Sequence, residues 1–135
     1  MREQALKDGK LLIMASPKLK RGYLLIDPDK IGGSEKLAST IKGAFKYGET
    51  LLKFPTVDLV VEGSVAVDRT GNRLGKGGGY GDQEISHLLK VKAIDEGTPR
   101  ATTVHDSQLV EEVPTEAHDQ KLNLIVTPYR VIRIN

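Results

Sequence analysis

The run Arg73-Leu-Gly-Lys-Gly-Gly-Gly-Tyr-Gly-Asp82 puts cations, glycines and a carboxylate at a spacing suited to holding a phosphate group. Glycines at 75, 77, 78 and 79 permit positive φ and a close backbone approach, so that consecutive N–H groups can converge on an anion. Lys76 and Arg73 supply counter-charge. From Gln83 the pattern turns helical, with Ile85, Leu88 and Leu89 on one face and Glu84, His87 and Lys90 elsewhere. The amino end of that helix adds a dipole favouring phosphate. The phosphate-binding candidates from this spacing are Arg73, Gly75, Lys76, Gly77, Gly78 and Gly79. The alternative is a flexible turn between a hairpin and a helix, with Asp82 only its N-cap. Neither common nucleotide fingerprint fits. Thr70 stands where G-x-x-x-x-G-K-[ST] needs its first glycine and Gly77 where it needs Ser/Thr, while Tyr80 and Asp82 fall where G-x-G-x-x-G needs its last glycine.

His105-Asp106 follows a strand pattern and His118-Asp119 precedes one. A carboxylate at a strand end beside a phosphate loop is placed to hold Mg²⁺, which takes few protein oxygens and completes its sphere from phosphates and water. Asp82 and Asp119 are the candidate ligands. Taken alone, His118-Asp119 reads rather as a pair that turns the chain into the strand at Leu122. A helical metal phosphohydrolase would need its His-Asp pairs on helices, and no nucleophile-elbow sequence supports covalent hydrolysis. The chemistry that remains runs through bound ATP.

The elements that must position these residues are short apolar runs alternating with helical patterns, the signature of an α/β domain with a largely parallel sheet. Strands are expected at 11–15, 23–26, 58–62, 101–104, 122–126 and 131–134, with 58–62 and 122–126 central. Ser34 should cap a helix through Leu37, Ala38, Ile41, Ala44 and Phe45 that ends near Tyr47-Gly48. The turn signal Asp68-Arg-Thr-Gly-Asn72 places the glycine loop after a tight reversal at a sheet edge, where open α/β sheets bind ligands.

With 135 residues the chain has room for one domain, 1–135. A net charge of +2, with basic residues dispersed among acidic ones, does not demand a polyanion partner. Six Phe and Tyr and no Trp leave little for base stacking, so nucleic acid is a minor option resting on Lys18, Lys20 and Arg21. The absence of cysteine excludes disulfides, zinc-thiolate sites and cysteine nucleophiles, and fits the cytoplasm. No apolar run is long enough for a membrane span, and Met1 to Lys10 lacks a signal-peptide core.

The stretch Asp58 to Asp82, with Gly63-Ser-Val-Ala-Val-Asp68, Gly71-Asn-Arg-Leu-Gly75 and Lys76-Gly-Gly-Gly-Tyr80, resembles the 5-formyltetrahydrofolate cyclo-ligases, also called methenyltetrahydrofolate synthetases. Gln108, Val113-Pro114, His118-Asp119 and Leu124-Ile-Val-Thr127 resemble that family's closing block. The resemblance implies a three-layer α/β fold, a mostly parallel sheet flanked by helices, similar to sugar-phosphate isomerases and CoA transferases. It also implies ATP- and Mg²⁺-dependent conversion of 5-formyltetrahydrofolate to 5,10-methenyltetrahydrofolate, with a reduced folate as substrate, Lys76 and Tyr80 as the catalytic residues, and Tyr80 and Gly81 completing the phosphate site. The alternative is a non-catalytic nucleotide- or folate-binding module that keeps the phosphate loop. The chain departs from the family pattern at Gly81, where a tyrosine is usual, at Asn123, commonly aspartate, and at Pro128, commonly acidic. The family's N-terminal helical segment has no counterpart before Met1. That implies a fragment or a shortened homologue, and favours a homo-oligomer covering exposed apolar surface.

Overall fold

A computed structural model describes residues 1–117 and 119–134, so His118 of the second His-Asp pair lies outside the described residues. Backbone contacts divide the chain into two compact units, Met1–Lys53 and Phe54–Asn135. The first contains α1 (Arg2–Lys7), β1 (Leu12–Ala15), β2 (Tyr23–Ile26), α2 (Glu35–Ala38), α3 (Ile41–Tyr47) and β3 (Glu49–Thr50). Its strands form an antiparallel sheet in the order β1-β2-β3. Alternation along β2 turns Leu24 and Ile26 inward, against a core of Leu6, Met14, Ile31, Ala38 and Ala44. The single helix expected from Ser34 is two helices, and Ser34 makes no capping bond. Thr40 separates them. Its hydroxyl donates to Leu37 O at 2.7 Å and accepts from Gly43 N at 2.9 Å, closing one helix and opening the next.

The second unit carries β4 (Val60–Val61), β5 (Ala66–Asp68), β6 (Arg73–Leu74), α4 (Tyr80–Lys90), β7 (Arg100–Thr103), β8 (Leu109–Val110), β9 (Leu124–Val126) and β10 (Val131–Arg133). One sheet runs β10-β9-β7-β4 and another β6-β5-β8. Among the described residues only β4 with β7, β7 with β9 and β5 with β8 pair in parallel. The architecture is therefore mixed α/β with separate sheets, where one mostly parallel sheet was expected. β4 is a short edge strand, not a central one; Leu59 just before it and Val61 within it remain 53% and 38% exposed. β9 lies inside its sheet as expected, but begins at Leu124 because Leu122 N–H donates instead to Gly71 O at 2.8 Å. α4 buries Ile85 and Leu88 against Val60, Val67, Val104, Leu122 and Ile125. Among the described residues no helix is long and apolar enough to cross a membrane.

The turn after β5 is organised by Asp68, which is 2% exposed. Its Oδ1 accepts from Thr70 N at 3.0 Å, Thr70 Oγ1 at 2.8 Å and Asn72 N at 3.1 Å; its Oδ2 accepts from Asn72 Nδ2 at 3.0 Å and Val113 N at 3.0 Å. Burial alone would raise the carboxyl pKa, yet these donors, led by Val113 N–H, hold it down at about 2. One carboxylate thus closes the β5–β6 reversal and anchors the later segment at Val113. These bonds fix the course of the hairpin that delivers Arg73 to the glycine loop.

Candidate functional site

Past β6 the chain makes the glycine loop and enters α4 at Tyr80, three residues earlier than the helical pattern starts. Gly77 (φ +102°) and Gly79 (φ +69°) need the left-handed region that glycine reaches without strain. Gly75 and Gly78 do not, so the expectation of positive φ holds at only half of those positions. At these glycines the missing side chain makes room for the protein's own groups. A Cβ on Gly78 would overlap the Tyr80 ring, one on Gly75 would stand 2.9 Å from Arg73 Nη1, and one on Gly81 would overlap the Arg73 guanidinium. The loop is wrapped around Arg73, with Tyr80 folded back over Gly78.

The Arg73 side chain is only 6% exposed. Its Nη1 donates to Gly63 O at 2.7 Å, Nη2 lies 3.9 Å from Asp82 Oδ1, and the buried Nε has no partner. Arg73 therefore shapes the loop from within, where an outward counter-charge was expected. Lys76 is exposed at the loop tip, and among the described residues its side chain makes no ion pair or hydrogen bond. Gly79 contributes no capping side chain, so the first-turn N–H groups of α4 have no side-chain cap.

Asp82 sits in that first turn and its Oδ1 accepts from Gln120 N at 3.0 Å. The neighbouring Asp119 accepts through Oδ2 from Glu116 N at 2.7 Å. The structure thus brings the segment carrying Asp119 to the amino end of α4. Among the described residues no group of three or more His, Asp or Glu side chains gathers as a metal cage. Mg²⁺ bound through one or two carboxylates needs none. With Oδ1 of Asp82 engaged by Gln120 N–H, Oδ2 is the oxygen of that carboxylate suited to a cation.

Two residues of the site escaped the sequence reading. Glu62 leaves the carboxyl end of β4, and burial, together with a hydrogen bond and the charge of Glu84 on α4, pushes its pKa up to about 9. The available signal was an acidic residue ending a β-branched strand and a second one early in the helix beyond the glycines. Only the folded hairpin brings them together.

His105-Asp106 has a structural assignment. His105 Nδ1 accepts from Ser107 N at 3.2 Å, and Gln108 Oε1 accepts from His105 N at 2.8 Å, a capping box for the short turn after β7. Asp106 Oδ1 pairs with Arg130 Nε at 3.0 Å. A cavity of about 430 Å³ opens beside them at the carboxyl ends of β7 and β9, lined by Thr103, His105, Gln108, Thr127 and Pro128. Asn123 uses both ends of its amide, accepting from Arg100 N at 2.6 Å and donating to Thr98 O at 3.1 Å. An ionised aspartate there could accept but not donate.

The family model for the 5-formyltetrahydrofolate cyclo-ligase family matches residues 1–128. A methenyltetrahydrofolate synthase domain-containing protein of Bos taurus is 37% identical over 134 residues, covering 94% of this chain and 35% of the relative. A 5-formyltetrahydrofolate cyclo-ligase of Escherichia coli (strain K12) is 36% identical over 81 residues, covering 60% of this chain and 42% of the relative. Among solved structures, the NMR structure of Aquifex aeolicus 5,10-methenyltetrahydrofolate synthetase matches with a TM-score of 0.59 and 26% identity, over 98% of this chain and 62% of that one. The chain spans about a third of the length of the curated relatives it matches over nearly its whole extent.

Proposed function

From the premise that this chain belongs to the 5-formyltetrahydrofolate cyclo-ligase family, we propose that it binds the phosphates of ATP at the glycine loop and takes part in converting 5-formyltetrahydrofolate to 5,10-methenyltetrahydrofolate. The observation that carries this reading is the amino end of α4, without a side-chain cap, behind Gly77 and Gly79, with Lys76 unpaired among the described residues. In the reaction the formyl oxygen attacks the γ-phosphorus and ADP leaves. The neighbouring amine then closes on the activated carbon and gives up its proton, and inorganic phosphate departs with the former formyl oxygen.

The protein's share in such phosphoryl transfer is positioning and charge stabilisation. First-turn N–H groups of α4 receive the phosphate oxygens and Lys76 meets the developing charge. Arg73 holds the loop in shape and keeps its Nε–H as a spare donor. Tyr80 borders the phosphates and the folate. Asp82 and Asp119 would hold Mg²⁺, which when bound neutralises phosphate charge. Mixing the chain with 5-formyltetrahydrofolate, Mg²⁺ and ATP tests the reading, because the methenyl product is a distinct chromophore. Its appearance supports the enzyme; ATP binding without product leaves a nucleotide-binding module.

Lys76→Ala should weaken ATP binding about tenfold, the loss of one charge-assisted contact, and leave the melting temperature unchanged. Unaltered affinity in a calorimetric titration would take the loop out of the site. Gly81→Ala should lower stability and binding together. Alanine favours a helix by up to about 1 kcal/mol over glycine, but its Cβ would displace a guanidinium whose side chain is only 6% exposed and which donates to Gly63 O at 2.7 Å. The variant is therefore expected to melt below the wild type and to bind ATP about tenfold more weakly. An unchanged melting temperature would mean that the guanidinium moves aside without loss of its contacts.

A further inference from the structure

Within Phe54–Asn135 the chain passes between the two sheets at 62–65, from β4 to β5, and again at 104–108, from β7 to β8. One side chain ties these crossings together. Gln108 Nε2 donates to Ser64 O at 3.1 Å and to Val65 O at 3.2 Å, while its Oε1 accepts from His105 N at 2.8 Å. Both amide protons are spent on main-chain carbonyls, so neither is left for a ligand in the cavity that Gln108 helps to line. Thr102, 0% exposed on β7, adds a second tie through its hydroxyl, 2.7 Å from Ser64 Oγ.

These bonds fix the residue that holds Arg73. Glu62 N–H donates to Ala101 O at 2.9 Å and Val65 N–H to Leu74 O at 2.8 Å, so the crossing is pinned on either side of Gly63. The Gly63 carbonyl accepts from Arg73 Nη1 at 2.7 Å. A Cβ on Gly63 would meet no atom within 4 Å. Packing therefore does not hold this glycine, and the bonds made by its neighbours are what aim its carbonyl.

We propose that Gln108 is a positioning residue for the glycine loop, its two amide N–H bonds holding the 63–65 main chain so that Gly63 O seats the Arg73 guanidinium for an anion bound there. This deepens the reading of the loop as a phosphate site and rests on it. Gln108→Met keeps the length and loses all three bonds. Gln108→Glu keeps the acceptor for His105 N–H, and with it the cap of the turn, but sets a carboxylate against the two carbonyls. Calorimetric titration with ATP should show both variants about tenfold weaker than wild type. Ser107→Ala, which alters the same turn and leaves the Gln108 bonds in place, should stay within about threefold. On an Arg73→Lys background neither Gln108 variant should weaken ATP binding further, because the group they act through is gone.

Full affinity in Gln108→Glu would make the turn cap the working part and would overturn the proposal, as would an additive loss on the Arg73→Lys background. Should Gln108→Met not fold, Gln108→Glu carries the same comparisons. If the wild type binds no ATP, the phosphate reading falls on its own. The buried Arg73 Nε–H, followed in ¹⁵N spectra, then still decides the seating. Faster exchange with water in the Gln108 variants than in wild type and Ser107→Ala sustains it, and any other ordering ends it.

Discussion

Gly71→Ala is expected to cost at least about 3 kcal/mol of stability and to be the most damaging single methyl addition near the site. Gly71 has φ +91°, a conformation that costs an L-residue about 1–2 kcal/mol. Its Cβ would also overlap the backbone carbonyl of Leu122, which cannot swing aside as a side chain can. Relief requires parting the two segments, which removes the bond from Leu122 N to Gly71 O and uncovers Leu122, 1% exposed. A lost buried hydrogen bond adds about 1–3 kcal/mol. Urea denaturation reads the result directly. A change below about 1 kcal/mol would mean that the reversal does not touch the segment leading into β9.

Asp68→Ala should follow closely, at about 3 kcal/mol. Removing the carboxylate orphans the N–H groups of Thr70, Asn72 and Val113, which surround a buried position. Asp68→Asn should recover part of the loss, since its amide keeps one acceptor oxygen but turns a donor on the remaining N–H groups. The acid limb of stability follows from the same contacts. The folded carboxyl lies at about 2 against an ordinary 3.8, so the unfolded chain binds the proton more tightly. The stabilisation, about 2 kcal/mol, is present above pH ~4 and disappears as pH falls through ~2. In Asp68→Asn that part of the pH dependence should vanish, leaving a flatter profile between those values.

The strands at 12–15, 23–26 and 131–133 were legible because their apolar runs are bounded by clear turn residues. The amphipathic face of α4 was legible for the same kind of reason, its 3.6-residue period being local information. Strand order was not. Residues 58–62 read as a central strand from their β-branched content, but only Val60 is buried beside β7, because sheet position depends on partners remote in sequence. The break at Thr40 was hidden because a threonine inside a helical pattern reveals its bond to Leu37 O only in three dimensions.

At the site, composition identified the loop but not the reason for every glycine. The period-free run Gly75-Lys-Gly-Gly-Gly79 announces close backbone approach, yet what approaches Gly75 and Gly81 is Arg73, and what approaches Gly78 is Tyr80. Gly81, where the family pattern has a tyrosine, is the space in which the guanidinium lies. Glu62 and Glu84 were illegible because neither belongs to a recognisable spacing, and their meeting depends on the closure of the β5–β6 hairpin.

A loop built around its own arginine has a consequence for how binding would proceed. Most of the torsional freedom between Arg73 and Asp82 is surrendered when the chain folds, leaving only the tip around Lys76 and Gly77 to be restrained on association. The entropy lost in ordering a recognition loop, which usually weakens complexes of flexible segments, is already absent from the binding step. On the proposed reading such a site would act as a mould rather than a clasp. Encounter with a correctly oriented anion would lead to capture without a slow rearrangement, with residence time set by how readily Lys76 and the helix N–H groups let go.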